Sequence, residues 1–555
     1  MSELAKNDWW KRAIIYQVYP RSFQDSNDDG IGDLQGIIKH LDYLKQLGVD
    51  ALWLSPVYTS PNKDFGYDIA DYYSINPEYG TLDDMKQLIN EANLRGMRII
   101  MDLVINHTSD QHPWFQASRD PQSPYRDYYI WQKGRKNWLG KEKAPNNWTS
   151  FFTGPAWQKD DVSGEWYLHL FTKEQPDLNY RNPAVIEEVK KILTFWLDLG
   201  VDGFRCDVIN ILYKDSFENG KRRASAGGQE YYVATEGTHK ILQELYRDVL
   251  EPRGAFTVGE AAFGTLEQAK LFTAGDELTT VFGFDHVVHE PSPKAARKRL
   301  KKATLRWQTE LPWNTVFLEN HDQPRSVSVF GNPKEKFHDA SAKALATLLL
   351  TLRGTAFIYQ GEELGMTDAP FTDISQAKDP VTTFIYRVAR KNLLSKKAAL
   401  RLAFTMGRDN ARTPMQWNTN KDAGFTNGTV DPWLMVNPNY LTINAQIEDT
   451  DASSVLNYYR ALAKVRRQHT ALTEGAIEFY EDEKEIYAYH RSNELEDIIV
   501  FINLSERYIK ALTPMPKDYE VLMATHEEIE AHGQLMAPFE ARVLRYRRND
   551  TAKPA

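Results

Sequence analysis

The chain has 555 residues, of which 42% are hydrophobic, and its formal net charge at pH 7 is -9. This length exceeds one ordinary domain and is sufficient to bury a large core. Acidic and basic residues are interspersed without long blocks of one sign, which argues against a nucleic-acid partner.

The N-terminus has no apolar run of the signal-peptide type, and no apolar stretch is long enough to span a membrane. The single cysteine, Cys206, cannot form an intrachain disulfide and suits a reducing compartment. We therefore expect a cytoplasmic protein that has no membrane partner and acts as a monomer.

The first part of the chain alternates strand and helix patterns. Strands are predicted at Ile14 to Tyr19, Ala51 to Leu54 and Arg98 to Leu103, and helices at Leu34 to Leu47 and Leu82 to Leu94. Repeated strand–helix units of this length predict a parallel sheet with helical crossovers.

The loop after the first strand contains closely spaced oxygen-bearing side chains. Asp25, Asn27, Asp29 and Asp33 follow the spacing of an EF-hand loop, in which the seventh position is Ile31. The twelfth position, where a bidentate Glu is expected, is a glycine. These five residues are the predicted ligands of a structural Ca²⁺ or Mg²⁺, and the alternative is an Asx-rich turn that stabilises itself.

The strand–helix pattern is interrupted between Ser109 and Pro176, where no helical period is sustained. This segment is too long for a connecting loop and is interpreted as an inserted domain. The pattern then resumes with a helix at Ala184 to Leu199. Five further strands, which bring the total to eight, are predicted at Val201 to Val208, Ala255 to Gly259, Thr280 to Phe284, Thr315 to Glu319 and Ala356 to Tyr359.

Eight parallel strands are the number that closes a (β/α)8 TIM barrel, which makes α/β the predicted fold class. An irregular segment is expected at about 370–450, followed by a helix at Ser453 to Arg467. From about Gly475, short alternating runs predict an antiparallel β domain. The predicted domains are the barrel (1–104 and 175–474), the inserted domain after strand 3 (105–174) and the C-terminal β domain (475–555).

Three acidic residues lie at or beyond predicted strand ends, where a barrel has its active site. These residues are Asp207, Glu260 and Asp322. Cleavage of a glycosidic bond requires one ionised carboxylate and one carboxylic acid that gives a proton. Arg205 would keep Asp207 ionised, and the alanines after Glu260 provide the drier surroundings that suit a general acid.

Four stretches resemble, in order and spacing, the signature regions of the α-amylase family of glycoside hydrolases (family 13). They are Asp102-Leu-Val-Ile-Asn-His107, Gly203-Phe-Arg-Cys-Asp207, Thr257-Val-Gly-Glu260 and Phe317-Leu-Glu-Asn-His-Asp322. Two more, Gln175-Pro-Asp-Leu-Asn179 and Gly407-Arg-Asp-Asn-Ala-Arg-Thr-Pro-Met-Gln-Trp417, are similar to the subgroup of oligo-1,6-glucosidases and α-glucosidases.

This resemblance implies that Asp207 is the nucleophile, Glu260 the general acid/base and Asp322 the transition-state stabiliser. It implies no organic cofactor and a small oligosaccharide as the binding partner. The residues that it places around the terminal glucose are Tyr67, Asp68, His107, Phe171, Gln175, Arg205, Val208, His321 and Arg408. Core packing remains an alternative for Tyr67 and Phe171, and a loop cap for Gln175.

The residue after the nucleophile, Val208, bears on linkage. In members of this family, Val at this position accompanies α-1,6 cleavage, while Ala or Thr accompanies α-1,4 cleavage. The expected activity is therefore a retaining α-glucosidase that removes α-1,6-linked glucose from short oligosaccharides. The segments Lys214 to Gly237 and His286 to Pro293 are atypical for the family.

Several alternatives stay open. Within the enzyme class they are an α-1,4-glucosidase, a sucrose-cleaving or sucrose-isomerising enzyme, and a trehalose-6-phosphate hydrolase. The isomerase is disfavoured, because no Arg-Leu-Asp-Arg-Asp stretch follows Phe284. Outside the enzyme class, a non-catalytic barrel that accompanies a transporter is disfavoured, because all three acids are present.

Overall fold

The computed structural model describes residues 8–152, 154–286, 289–290, 292–480, 482–527 and 533–546. Its parallel sheet has the strand order β6-β5-β4-β3-β2-β1-β8-β7. These strands are β1 (Ile14–Val18), β2 (Ala51–Leu54), β3 (Arg98–Leu103), β4 (Gly203–Cys206), β5 (Phe256–Glu260), β6 (Thr280–Phe282), β7 (Thr315–Val316) and β8 (Thr355–Tyr359). The predicted (β/α)8 barrel class is confirmed, although β6 and β7 are shorter than predicted.

The described residues divide into two compact units. The first unit takes residues from 1–52, 94–97 and 283–555, and the second takes residues from 53–93 and 98–282.

In the second unit, β4 pairs with β3 on one side and with β5 on the other. Arg205 is the register partner of Asp102, so both side chains lie on the same face of the sheet. The helices are Leu82–Leu94, Pro113–Ser118, Pro183–Leu199, Glu236–Leu245 and Leu266–Phe272.

The helix that leads into β4 has clear boundaries in the sequence. The Asn182 side chain accepts a hydrogen bond from Ala184 N, and Pro183 occupies the first turn. Gly200, with φ +111°, ends the helix in the left-handed region that glycine adopts without strain. Trp196 and other apolar residues of this helix are buried in the core.

The segment after β3 contains several short strands. Trp131–Gln132, Trp166–Leu168 and Trp157–Lys159 form a three-stranded antiparallel sheet, and Arg135–Lys136 pairs with Glu142–Lys143. Trp148, Trp157 and Leu168 are members of one buried apolar cluster.

In the first unit, β8 pairs with β1 and with β7. Its helices are Trp9–Arg12, Leu34–Lys39, Leu41–Leu47, Pro293–Glu310, Ser326–Val329, His338–Thr351, Pro380–Lys391, Lys396–Met406, Ala445–Thr450, Val455–Gln468 and Thr470–Thr473. The predicted helix from Leu34 to Leu47 is broken at His40, whose ring stacks on Trp417 at 3.6 Å between centroids.

The prediction of an irregular segment at about 370–450 was wrong in its first half, which contains the helices Pro380–Lys391 and Lys396–Met406. Asp379 and Ser395 cap their N-termini through side-chain hydrogen bonds. Each helix buries only a narrow stripe, since Thr382 and Ala389 are the buried residues of the first. The narrow buried stripe made the helical period difficult to recognise in the sequence.

The C-terminal antiparallel sheet is present as predicted. Its strand order is Ala476–Phe479, Tyr487–Ser492, Asp497–Ile502, Ala541–Tyr546 and Tyr519–Ala524. Within the described ranges, no helix is both long and apolar enough to cross a lipid bilayer. Cys206 is buried with a free thiol.

Candidate active site

Arg205 joins three carboxyl groups in the second unit. Its Nη1 donates to Asp207 Oδ1 at 2.7 Å and to Asp102 Oδ1 at 2.8 Å, and its Nη2 donates to Glu260. The guanidinium is buried, because Arg205 is 2% exposed. Strands β3, β4 and β5 therefore bring the predicted nucleophile and the predicted acid/base onto one cation. Asp102 is the first residue of the motif that ends at His107, but it was not predicted as a site residue.

The burial of these groups changes their protonation. Burial raises the pKa of Asp207 well above its usual range, and the negative charges of Glu260 and Asp102 act in the same direction, while Arg205 opposes them. Burial likewise raises the pKa of Asp102 to about 6. The expected ion pair is present, but Arg205 does not keep Asp207 ionised on its own in this cluster.

Val208, directly after the nucleophile, has an unusual backbone conformation. Its φ of +36° and ψ of 41° lie in the left-handed region, which a β-branched residue rarely adopts. The side chain is 6% exposed and packs in the same apolar cluster as Ile211, Tyr232 and Trp148. The surrounding structure therefore fixes this side chain beside the nucleophile.

Asp68 and His107, both predicted to hold glucose hydroxyls, are buried in the second unit. Burial raises the pKa of Asp68 to about 6, although the carboxylate accepts hydrogen bonds from Lys63 N and Asp64 N. Burial also lowers the pKa of His107, which favours a neutral ring at pH 7.

Tyr67, Gln175 and Phe171 adjoin these groups. Tyr67 Oη donates to Asp102 Oδ2 at 3.1 Å, and the Tyr67 carbonyl lies 3.1 Å from His107 Nε2. Gln175 Nε2 lies 3.2 Å from the same nitrogen, and the Phe171 ring lies 5.0 Å from the His107 ring. The structure thus brings the predicted residues of this unit together, and Gln175 also caps its own loop through Thr172 N.

A buried lysine was not predicted as part of the site. Lys214 Nζ lies 2.7 Å from Asp177 Oδ2 and donates to Asn106 Oδ1 at 2.9 Å. It begins the atypical segment Lys214 to Gly237, which contacts the inserted segment. One contact between these two segments is the hydrogen bond that Trp148 Nε1 donates to the Glu218 carbonyl at 2.8 Å. In the sequence, the indication that this region belongs to the site was that Asn106 and Asp177 lie inside two of the motifs that resemble the family.

In the first unit, Asp322 is surrounded by cations. Arg412 Nη2 donates to Asp322 Oδ1 at 2.7 Å, and His321 Nε2 lies 3.3 Å from Asp322 Oδ2. Gln17 Nε2 lies 2.8 Å from His321 Nδ1, the other nitrogen of this ring. Burial opposes ionisation, but His321, Arg408 and Arg412 outweigh it and hold the pKa of Asp322 well below its usual range.

Arg408 is held mainly by a residue that sequence reasoning missed. Asp379 accepts hydrogen bonds from Arg408 Nη2 at 2.8 Å, Nε at 3.1 Å and the backbone N at 2.9 Å. Arg408 Nη1 lies 3.7 Å from Asp322 Oδ1. Neither Asp379 nor Arg412 is close to Asp322 in the sequence, although Arg412 lies within the quoted motif that contains Arg408.

The predicted cation loop is organised by hydrogen bonds to its own amides. Asp25 accepts from Asp28 N at 2.7 Å and from Gly30 N at 2.9 Å, and Asp33 accepts from Ser26 N at 2.9 Å. Over the described part of the chain, no group of three or more His, Cys, Asp or Glu side chains is arranged to hold a metal. The oxygen donors suit a hard cation, and the loop also has the bonding of an Asx-rich turn.

Comparison with known proteins identifies the family. The model of the α-amylase catalytic domain matches residues 17–475. The chain belongs to the α-amylase family. This agrees with the resemblance of its four motifs and makes it a glycoside hydrolase of family 13.

Relatives within the α-amylase family include enzymes with different printed activities. An oligo-1,6-glucosidase of Parageobacillus thermoglucosidasius is 46% identical, over 97% of this chain and 99% of its own length. A trehalose-6-phosphate hydrolase of Escherichia coli (strain K12) is 42% identical, over 96% and 98%. The crystal structure of an isomaltulose synthase from Klebsiella sp. LX3 has a TM-score of 0.90 and 41% identity, over 97% and 99%.

Proposed function

We propose that this protein is a retaining α-glucosidase that removes terminal α-1,6-linked glucose from short oligosaccharides. The observation that supports retention most directly is the contact of Asp207 and Glu260 with one guanidinium, which keeps the two carboxyl groups close to each other. Inverting enzymes keep the two carboxyls about 6.5–9.5 Å apart to admit a water, whereas retaining enzymes place them about 5–5.5 Å apart.

In this mechanism, Glu260 protonates the glycosidic oxygen while Asp207 attacks the anomeric carbon and the bond to the aglycone breaks. Glu260 then removes a proton from water, which attacks the same carbon and releases Asp207. Asp322, held ionised by its cations, stabilises the positive charge of the transition state. Arg205 orients both reacting carboxyls, and Asp68 and His107 bind the glucose hydroxyls.

The stereochemistry of the product tests this mechanism. Proton NMR of the first product of isomaltose hydrolysis is expected to show α-glucose, and initial β-glucose would contradict a double displacement. The variant Asp207→Asn should lose activity by several orders of magnitude and keep its circular dichroism spectrum. Near-normal turnover in that folded variant would overturn the nucleophile assignment.

The α-1,6 preference is supported by Val208 and by the oligo-1,6-glucosidase relative. Trehalose-6-phosphate hydrolysis is the second candidate, because the Escherichia coli relative covers 96% of this chain at 42% identity. Measured kcat/KM values for isomaltose, panose, maltose, sucrose, trehalose and trehalose 6-phosphate will separate them. A highest value for trehalose 6-phosphate would replace the α-1,6 proposal.

We also propose that the loop containing Asp25, Asn27, Asp29, Ile31 and Asp33 binds a structural Ca²⁺ or Mg²⁺. A cation that binds only the folded state raises its stability by mass action. Calcium should therefore raise Tm, and a chelator should lower it, with little change in turnover. The loop is a plain turn if the chelator leaves Tm unchanged and elemental analysis finds no metal in the purified protein.

The proposed enzyme acts as a monomer in the cytoplasm, a setting that suits its single free cysteine. Light scattering coupled to size exclusion should give the mass of one chain, 64.0 kDa. Fractionation of the source cells should recover the activity in the cytosol. A dimer mass or a secreted activity would correct these assignments.

A further inference from the structure

A small hairpin of the inserted segment, residues 133–143, stands out from the second unit and is called the basic hairpin below. Its strands are Arg135–Lys136 and Glu142–Lys143. Asn137 Oδ1 accepts a hydrogen bond from the backbone N of Lys141 at 2.9 Å, which closes the turn. Gly140 has φ +73°, and a Cβ atom there would meet no other described heavy atom within 4 Å. The turn is therefore held by its own hydrogen bonds and points into solvent.

Two apolar side chains occupy the tip of the basic hairpin. Trp138 is 91% exposed, and the adjacent Leu139 is 68% exposed. Burial of such large apolar side chains away from water is favourable, because it removes their surface from contact with the solvent. Tryptophan also prefers a boundary at which its ring body is in apolar surroundings and its N–H stays hydrated. The tip therefore suits a partner that takes up apolar surface.

The flanks of the basic hairpin are positively charged. Residues 133–143 contain one acidic and five basic residues, in a chain whose net charge is -9. The acidic residue, Glu142, is directed towards the neighbouring sheet: its Oε1 accepts from Trp166 Nε1 at 3.1 Å, and its Oε2 lies 2.5 Å from Lys159 Nζ. Its charge is thus paired outside the hairpin. The five basic residues are all exposed, and they are Lys133, Arg135, Lys136, Lys141 and Lys143.

A neighbouring loop extends this positive surface. Residues 218–223 contain three basic residues and one acidic residue. The loop contacts the hairpin, because Arg135 Nη1 donates to Asn219 Oδ1 at 3.4 Å. Lys221 and Arg222 follow directly and are exposed. The positive surface therefore continues from the hairpin onto the segment that is atypical for the family.

We propose that the basic hairpin binds the surface of an anionic lipid bilayer, with Trp138 and Leu139 among the headgroups and the basic side chains against the lipid phosphates. Each lysine or arginine near such a surface contributes about fivefold in affinity, equivalent to about 1 kcal/mol. A nucleic acid or an acidic protein offers the same charge. A bilayer also accepts a protruding tryptophan and leucine without a shaped pocket, and affinity for it combines apolar burial with charge.

This binding is peripheral and goes beyond the proposed hydrolysis. The expectation of no membrane partner considered only segments that span a bilayer, whereas a hairpin at the surface needs none. Binding that depends on exposed charges is weakened by salt and is reversible. Cell lysis therefore releases the protein into the cytosolic fraction, and the enzyme still acts in the cytoplasm.

Sedimentation of the whole protein with lipid vesicles tests the proposal. At low salt, vesicles of phosphatidylcholine with phosphatidylglycerol should bind it at least tenfold more tightly than vesicles of phosphatidylcholine alone, and added NaCl should release it. Lys136→Gln combined with Lys141→Gln should weaken binding about 25-fold, as two contributions of about fivefold. The matched control is Lys510→Gln combined with Lys517→Gln, since both lysines are exposed in the C-terminal β domain.

The apolar tip is tested separately. Trp138→Ser and Leu139→Ser should each weaken binding to the anionic vesicles at least threefold. The matched control is Leu495→Ser, because Leu495 is 85% exposed but lies outside the hairpin. All these variants change exposed side chains, so their kcat/KM for isomaltose in solution should equal that of the wild type and shows that they are folded.

Several results would overturn the proposal. They are equal binding to neutral and anionic vesicles, no binding to anionic vesicles at low salt, and an equal loss in the control variants. A fourth is full vesicle affinity in Trp138→Ser together with weak binding in the double lysine variant. That result would indicate a site that recognises charge alone, as on a nucleic acid or an acidic protein, and would refute insertion into a bilayer.

Discussion

The replacement of Val208 by alanine should relax the choice of linkage. Val208 is stiff at χ1, and its left-handed backbone holds the side chain in one place next to the nucleophile. We expect a branched side chain there to narrow the space in which an α-1,4-linked aglycone would turn. One or two methyl groups in such a position discriminate by about 1–3 kcal/mol, a factor of about 10–200 in relative kcat/KM.

The protein should remain folded after this change. Removing two buried methyl groups costs about 1.6 kcal/mol, at about 0.8 kcal/mol for each. Replacing a β-branched residue in the left-handed region by alanine recovers part of a strain of about 1–3 kcal/mol. The net loss is therefore small compared with a stability of about 5–15 kcal/mol.

The quantity to measure is the ratio of kcat/KM for maltose to kcat/KM for isomaltose, because it cancels any loss of active enzyme. Val208→Ala and Val208→Thr should raise this ratio at least several-fold. Val189→Ala is the matched control, since it makes the same change at a buried site on the helix Pro183–Leu199. An unchanged ratio, or an equal change in the control, would refute the reasoning, and a wild type that prefers maltose would overturn the α-1,6 assignment.

Three further predictions concern the surroundings of individual side chains. Arg412→Gln removes a cation from Asp322 and should lower kcat/KM at least tenfold and move the acid limb of its pH profile to higher pH. Asp379→Asn weakens the contacts that orient Arg408 and should raise the KM for isomaltose about tenfold, equivalent to about 1.4 kcal/mol. Burial raises the pKa of Glu448 from 4.5 to about 9, so folding should lose stability as pH rises through this window. The Tm of Glu448→Gln should therefore improve relative to wild type from pH 5 to pH 9, and a constant difference would contradict that pKa.

The sequence predicted the parts of the fold that depend on local patterns. Apolar strands separated by helices of regular length predicted the eight barrel strands along the chain. The acidic residues that follow two of these strands predicted Asp207 and Glu260 as catalytic residues. Helices that bury only a narrow stripe, such as Pro380–Lys391, were missed. The pattern also ran through His40, where one helix ends and the next begins, and whose ring stacks on the distant Trp417.

Residues that act through distant partners could not be predicted in the same way. Asp379 and Arg408 are separated by 29 positions, and Lys214 and Asn106 by 108. Nothing in a single sequence indicates that these pairs meet, because the contact depends on how the intervening chain folds. The cation loop shows a different limit of prediction from sequence, in which a local pattern is clear but ambiguous. Its spacing fits both a metal site and the amide-bonded turn that the structure contains.

The different surroundings of the acids supply a physical reason for their different roles. Asp102, Asp207 and Glu260 share one buried guanidinium, so three carboxyl groups face a single positive charge. Burial and mutual repulsion favour retention of a proton within this cluster, and the pKa values of Asp102 and Asp207 are raised accordingly. A retaining glycosidase needs one protonated and one ionised carboxyl group at its reacting centre, and a shared proton in this cluster meets that need. Asp322 has the opposite environment, because its cations outnumber it, and it therefore stays ionised as a stabiliser of positive charge must.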